Sequence, residues 1–134
     1  MVPREQIDRF LQATRFGVVG ASTDRTKYGN RVLRCYRQKG LAVVPVNPKE
    51  REIEGIPCVA TVAGLPDDVT SISVITPPAV TEQVVEAAIQ KGIKHIWMQP
   101  GAESQKAVDR CLEAGINVIA DGSCILVVLG YHDH

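Results

Sequence analysis

The sequence predicts an α/β fold: a doubly wound parallel sheet of five strands in three layers, with helices on both faces. Short apolar runs rich in β-branched residues alternate with longer stretches of helical periodicity along the whole chain. The apolar runs are continuous rather than alternating in polarity, as expected of strands covered on both faces. The order strand, helix, strand, turn, strand, helix, strand, helix, strand then requires right-handed crossovers. Strand order 3-2-1-4-5 is expected. It puts a topological switch point between the first and fourth strands, where ligands sit against carboxyl ends.

Pro3 to Ala13 is the opening helix. Pro3 suits a first turn, Glu5 complements the helix dipole, and Ile7, Phe10 and Leu11 recur at helical spacing. Phe16 to Val19 is the first strand, and it feeds Gly20-Ala21-Ser22 into a helix that begins at Asn30-Arg31-Val32-Leu33 and ends at Gly40. Val32, Leu33, Tyr36 and Cys35 form the buried face of that helix. Amides at a helix N-terminus are unpaired and the dipole favours an anion, so this junction is a candidate phosphate loop. Arg25, Lys27 and Arg31 add positive charge to it. The same residues also suit an ordinary strand-to-helix turn without a ligand. A Gly-x-Gly-x-x-Gly fingerprint would need glycine where Ser22 and Arg25 stand, and no Gly-Lys-Ser/Thr follows as in a P-loop.

Leu41 to Val46 is the second strand, ending at Asn47-Pro48-Lys49. NAD-binding proteins place Asp or Glu at this point for the ribose hydroxyls. An amide followed by a cation suits a phosphorylated ribose instead, so coenzyme A and NADP both fit better than NAD. The alternative is that Lys49 belongs to the solvated run Lys49-Glu50-Arg51-Glu52. Residues 53 to 59 are turn-rich, and 62 to 68 form a short helix or turn.

Ile72 to Ile75 is the third strand. Thr76-Pro77-Pro78 then forms a rigid ledge beside the first loop, and Pro78 or Ala79 opens a helix with apolar positions Val80, Val84, Val85, Ala88 and Ile89. His95 to Gln99 is the fourth strand, which brings Gln99 and Gly101 to a carboxyl edge. Ser104 N-caps a helix running to Ala114, with Ala107, Val108, Cys111 and Leu112 inward. Asn117 to Ala120 is the fifth strand, and Asp121 caps the turn after it. The form of the apolar tail Ile125 to Leu129 is left open.

Composition narrows the classes. A chain of 134 residues that is 45% apolar and 22% charged is read as one globular domain over 1–134. Its 15 basic and 15 acidic side chains cancel, so no global field holds nucleic acid or an anionic membrane, and 4% aromatic content supplies no stacking platform. Four scattered cysteines without a Cys-x-x-Cys pair suggest free thiols rather than zinc ligands. Neither a signal peptide nor a membrane-length apolar run is present, so a cytoplasmic protein is expected, as a monomer or homodimer with a small-molecule nucleotide ligand. His132-Asp133-His134 resembles a metal pair but sits at the terminus, and no metal site is assigned. The three histidines form no Ser-His-Asp arrangement, and no catalytic residue is assigned.

Several motifs carry a family likeness. Val19-Gly20-Ala21-Ser22 with Lys27-x-Gly29, Pro45-Val46-Asn47-Pro48, Glu54-Gly55, Thr76-Pro77-Pro78, Trp97-Met98-Gln99-x-Gly101 and Val118-Ile119-Ala120-Asp121 together resemble the small CoA-binding proteins. These are stand-alone relatives of the CoA-binding domain in the succinyl-CoA synthetase alpha subunit. The resemblance spans nearly the whole chain and implies a Rossmann-like fold with CoA along the carboxyl ends of the strands. It implies that Gly20, Ala21, Ser22 and the backbone of Lys27, Tyr28, Gly29 and Asn30 contact the pyrophosphate. Asn47, Pro48 and Lys49 would lie near the adenosine ribose, with Thr76, Pro77 and Pro78 as a wall. Two departures stand out: Asp121-Gly122-Ser123-Cys124 where relatives carry Asp-Arg-Cys, and Ser104-Gln105 where they carry Asn-Glu.

Three functional readings follow. The leading one is a module that binds CoA or an acyl-CoA without chemistry of its own. The others are an NADP-dependent oxidoreductase or nucleotide-binding regulatory module, and a thiol role in which Cys124 forms a mixed disulfide with CoA.

Overall fold

The computed structural model describes residues 3–132. Its sheet is built around β1 (Arg15–Val19), which pairs in parallel with β2 (Val43–Val46) on one side and with β5 (Val69–Val74) on the other. β6 (His95–Met98) and β7 (Asn117–Ile119) extend the sheet beyond β5, giving the order β2-β1-β5-β6-β7. An antiparallel hairpin of β3 (Glu52–Ile53) and β4 (Ile56–Pro57), then a 3₁₀ turn at Val62–Gly64, lead from β2 to β5. The helices are α1 (Pro3–Phe10), α2 (Tyr28–Gln38), α3 (Pro78–Lys91), α4 (Gln105–Glu113) and α5 (Ile125–Val128).

The five-stranded parallel α/β sheet is as expected, but its order is not. Counted along the five long strands it runs 2-1-3-4-5, not 3-2-1-4-5. The chain leaving β2 closes that strand's own outer edge: the Val59 amide donates to the Pro45 carbonyl at 3.1 Å, and the Asn47 amide donates to the Val59 carbonyl at 2.9 Å. The next long strand therefore adds to the free side of β1. Pro45 fits this arrangement, because its missing N–H lies on the outward side of an edge strand, where no ladder bond to β1 is lost. The switch point consequently lies between β1 and β5 rather than between the first and fourth strands.

Two cores flank the sheet. On one face Val19, Val46, Val74, Ile96 and Met98 pack under Val84, Val85 and Ala88 of α3 and Ala107 and Cys111 of α4. On the other, Phe16, Val18, Trp97 and Ile119 meet Phe10 of α1, Leu33 and Tyr36 of α2 and Ile125 of α5. Aromatic contacts join the helices on this second face: Phe10 meets Trp97 edge-on at 5.3 Å and Phe16 at 5.6 Å, and Phe16 stacks on Tyr36 at 5.0 Å. The serines of β5 are buried but paired, Ser71 donating to the Phe10 carbonyl at 2.8 Å and Ser73 lying 2.7 Å from the Tyr36 hydroxyl. Cys35 is fully buried, as its place on the inner face of α2 predicts.

Ser104 caps α4 as expected, accepting from the Ala107 amide at 3.3 Å. Leu112 does not turn inward. It is 62% exposed, because α4 runs along the outer strand β7 and turns Ala107 and Cys111, with half-buried Val108, to the core. The opening helix stops at Phe10 rather than Ala13, and the tail forms the single turn α5 against α2. Asp133 and His134 lie outside the described residues, so the terminal histidine pair has no structural account. Among the described residues no helix is long and apolar enough to cross a membrane.

Phe10 is the plug between α1 and the sheet, so Phe10→Ala is expected to destabilise the fold by about 3–5 kcal/mol. The measurement is a lower urea midpoint with an unchanged slope.

Candidate functional site

The loops after β1, β2, β5 and β6 meet at the carboxyl edge of the sheet. The first is the tightest. Gly20 has φ of +95°, and a Cβ on it would lie 2.2 Å from the Ile75 carbonyl oxygen. A Cβ on Gly29 would lie 2.1 Å from the Gly20 carbonyl oxygen. Only glycines allow these approaches, and together they set the first turn of α2 directly over the end of β1.

Between the glycines the loop is braced internally. The Asp24 amide donates to Ser22 Oγ at 3.0 Å, and Asp24 Oδ1 accepts from the Thr26 amide and hydroxyl at 2.9 and 2.7 Å. The Thr26 hydroxyl bond is the main reason the Asp24 carboxyl sits below the usual carboxylate range. Lys27 occupies the N-cap of α2 with no side-chain cap, and the first turn holds no acidic residue. The first helical bond runs from the Arg31 amide to the Lys27 carbonyl. The amides of Tyr28, Gly29 and Asn30 therefore precede any intrahelical partner, at the positive end of the dipole.

The Asn30 side chain is fully buried and acts on the loop rather than on solvent. Its Nδ2 donates to the Ser22 carbonyl at 2.8 Å and to Glu54 at 3.1 Å, and its Oδ1 accepts from Arg34 Nε at 2.7 Å. Arg34 in turn donates to the Arg25 carbonyl at 2.9 Å, and Arg25 pairs with Glu54 at 3.3 Å. Glu54, at the tip of the β3–β4 hairpin with φ of +52°, is thus a support of the first loop that the sequence reading named only as a motif residue.

Asn47 joins the second loop to the first. Its Nδ2 donates to the Ala21 carbonyl at 2.8 Å, while its Oδ1 accepts from the Lys49 amide at 2.8 Å. That Asx turn leaves Pro48 and Lys49 exposed beside the loop. After β5, the Thr76 methyl comes within 3.4 Å of where a Gly20 Cβ would stand, so the Thr76-Pro77-Pro78 ledge does flank the first loop. The Thr76 hydroxyl pairs with that of buried Thr81 at 2.7 Å, and Pro77 and Pro78 start α3 with exposed rings.

Gln99, after β6, is fully buried. Its Oε1 accepts from the Tyr28 hydroxyl at 2.9 Å and from the Ile125 amide at 3.0 Å, whereas its buried Nε2 has no partner among the described residues. The Tyr28 hydroxyl also lies 2.8 Å from Cys124 Sγ. Burial, and then this cysteine, push the Tyr28 hydroxyl far above its ordinary pKa, so it stays protonated. Sequence reading put Tyr28 and Gln99 at the site but missed that they join each other and Cys124. Gly101 is exposed and serves a turn, its amide donating to Glu103 at 2.7 Å. His95 Nδ1 accepts from Asn117 Nδ2 at 3.0 Å, and burial lowers its pKa.

The arrangement is an uncapped helix N-terminus, cross-tied loops and an adjacent lysine. The sequence model of the CoA binding domain matches residues 14–130. The chain belongs to this CoA-binding family. A conserved hypothetical protein from Pyrococcus furiosus shares the fold at a TM-score of 0.82 with 42% identity, covering 85% of this chain and 97% of that one. Protein YneT of Bacillus subtilis is 26% identical over 125 residues, covering 92% of each chain. The ADP-forming acetate–CoA ligase I of Archaeoglobus fulgidus is 31% identical over 88 residues, covering 66% of this chain. The chain spans only 13% of that ligase.

Gly29→Ala tests the junction. It is expected to cost about 3 kcal/mol, because the clashing atom is a backbone oxygen and neither element can shift alone. A melting temperature equal to that of the parent protein would show that α2 is free to move off β1.

Proposed function

We propose that this chain binds coenzyme A or an acyl-CoA across the carboxyl edge of its sheet and performs no chemistry of its own. The observation that carries the reading is the uncapped start of α2, held over β1 by Gly20 and Gly29 within a domain of the CoA-binding family. The pyrophosphate would take the amides of Tyr28, Gly29 and Asn30 together with Ala21 and Ser22. A dianion placed there gains from the helix dipole and from three preset donors, and Lys27 stands next to it. Asn47 and Pro48 would border the ribose, with the exposed Lys49 ammonium on its 3′-phosphate. Thr76, Pro77 and Pro78 would wall the nucleotide, and Gln99 and Gly101 would close the far side. The orphaned Gln99 Nε2 supports a polar ligand atom in that quarter.

Binding to the native state alone stabilises it by about 2.7 kcal/mol at a hundredfold excess over Kd. For a domain of this size that is roughly an 8 °C rise in melting temperature. CoA is expected to produce it, dephospho-CoA to produce less, and Lys49→Ala to bring the two responses together. Equal responses in the parent protein would remove Lys49 from the site, and a larger response to NADPH than to CoA would favour the oxidoreductase reading.

The contact of Cys124 with Tyr28 at the first turn of α2 favours a second, alternative reading, in which the chain does carry out one thiol exchange. The Cys124 sulfur attacks one sulfur of CoA disulfide, the CoA disulfide bond breaks as the mixed disulfide forms, and the thiol proton ends on the released CoA thiol. Intact-mass measurement after incubation with CoA disulfide is expected to show one CoA adduct that Cys124→Ser abolishes. An adduct on Cys58 alone would overturn the assignment.

A further inference from the structure

One sizeable recess lies away from the carboxyl edge. A groove of about 620 Å³ opens at the other end of β2, where β4 splays away from it. Leu41, Ile56 and Val59 form its half-exposed apolar walls, and Arg15 and Arg37 stand in it without any acidic lining residue. Its floor includes the one part of β2 whose outer edge the hairpin does not close. The Ala42 and Val46 carbonyls point to β1, so by alternation the N–H and C=O of Val43 point outward, away from Val59's pairing with Pro45 and Asn47.

Arg37 is shared with a second recess of about 420 Å³, lined also by Arg25, Arg34, Gln38 and Glu54. The two therefore adjoin along the outer side of α2, one apolar and one cationic. Their combined lining has four arginines and one carboxylate, that of Glu54, which pairs with Arg25. Arg15 is paired from outside the groove by Asp68 at 3.4 Å, and Arg37 donates to the Glu54 carbonyl at 3.0 Å. Among the described residues Arg37 meets no carboxylate side chain, and its charge sits where the apolar walls end.

From this juxtaposition we infer a second binding site that takes an amphipathic organic anion, an aliphatic chain with a terminal carboxylate. The chain lies in the groove between Leu41, Ile56 and Val59, and the carboxylate meets Arg37 at the junction of the two recesses. The volume lies in the range of small-molecule sites, and a mostly apolar lining with a few convergent charges is their usual makeup. A bidentate guanidinium–carboxylate contact selects the anion over a cation of equal length. The site is separate from the nucleotide edge and stands whether or not CoA binds there.

The test is a titration of the full chain, labelled with ¹⁵N, with octanoate and with octylamine. Octanoate is expected to shift the amides of Val43, Val44, Ile56 and Val59 saturably, with octylamine leaving them in place. Arg37→Gln should weaken octanoate at least fivefold, and Ala42→Trp, at an exposed position of the groove wall, should abolish its binding while leaving the melting response to CoA unchanged. Equal shifts with both amphiphiles would reduce the groove to a bare apolar patch. Displacement of octanoate by CoA, or no shift at millimolar octanoate, would overturn the inference.

Discussion

The structure of the carboxyl edge depends on one backbone contact, that of Gly29 on the carbonyl of Gly20. It leaves no space for a single methyl group, and so the N-terminus of α2 is fixed over the end of β1 by main chain rather than by mobile side chains. Every other loop at that edge is tied to this junction. Asn47 reaches the Ala21 carbonyl, Asn30 reaches the Ser22 carbonyl, and Tyr28 reaches Gln99. The helix dipole and its free amides are thereby set in place before any ligand arrives, which is what a preorganised anion site requires.

The supports are polar and come from far along the chain. Glu54 lies 24 residues beyond Asn30, yet its carboxylate accepts from that buried amide and pairs with Arg25 across the outside of the loop. The hairpin therefore does two things: it braces the loop after β1, and through Val59 it closes part of the edge of β2. The second role decides the sheet order. With its outer side occupied, β2 remains an edge strand, and β1 and β5 become neighbours at the switch point.

Much of this was legible in the sequence. Continuous apolar runs located all five long strands, and caps such as Ser104 and the prolines of Thr76-Pro77-Pro78 located helix starts, because these signals act within a few residues. The site residues were read as one edge because parallel topology sends every carboxyl end to the same side. What failed was non-local. Pro45 did mark β2 as an edge strand, since a proline inside a central strand would cost a ladder bond, but that sign has to be weighed against a run otherwise suited to a buried strand. Leu112 looked inward by periodicity, yet how much of an amphipathic face is covered depends on the width of the sheet beneath it.

The sequence by itself determined the α/β class, the places of the strands and helices, and the meeting of Gly20, Asn47, Thr76 and Gln99 at one edge, because periodicity, glycine and proline act through local backbone sterics. Only the tertiary structure decided the order 2-1-3-4-5, the burial of Asn30 against Glu54 and the joining of Tyr28, Gln99 and Cys124. Each of these is a pairing of groups distant in the chain, chosen by which backbone edge was still open and which buried polar atom still lacked a partner. Neither condition exists until the rest of the sheet has formed.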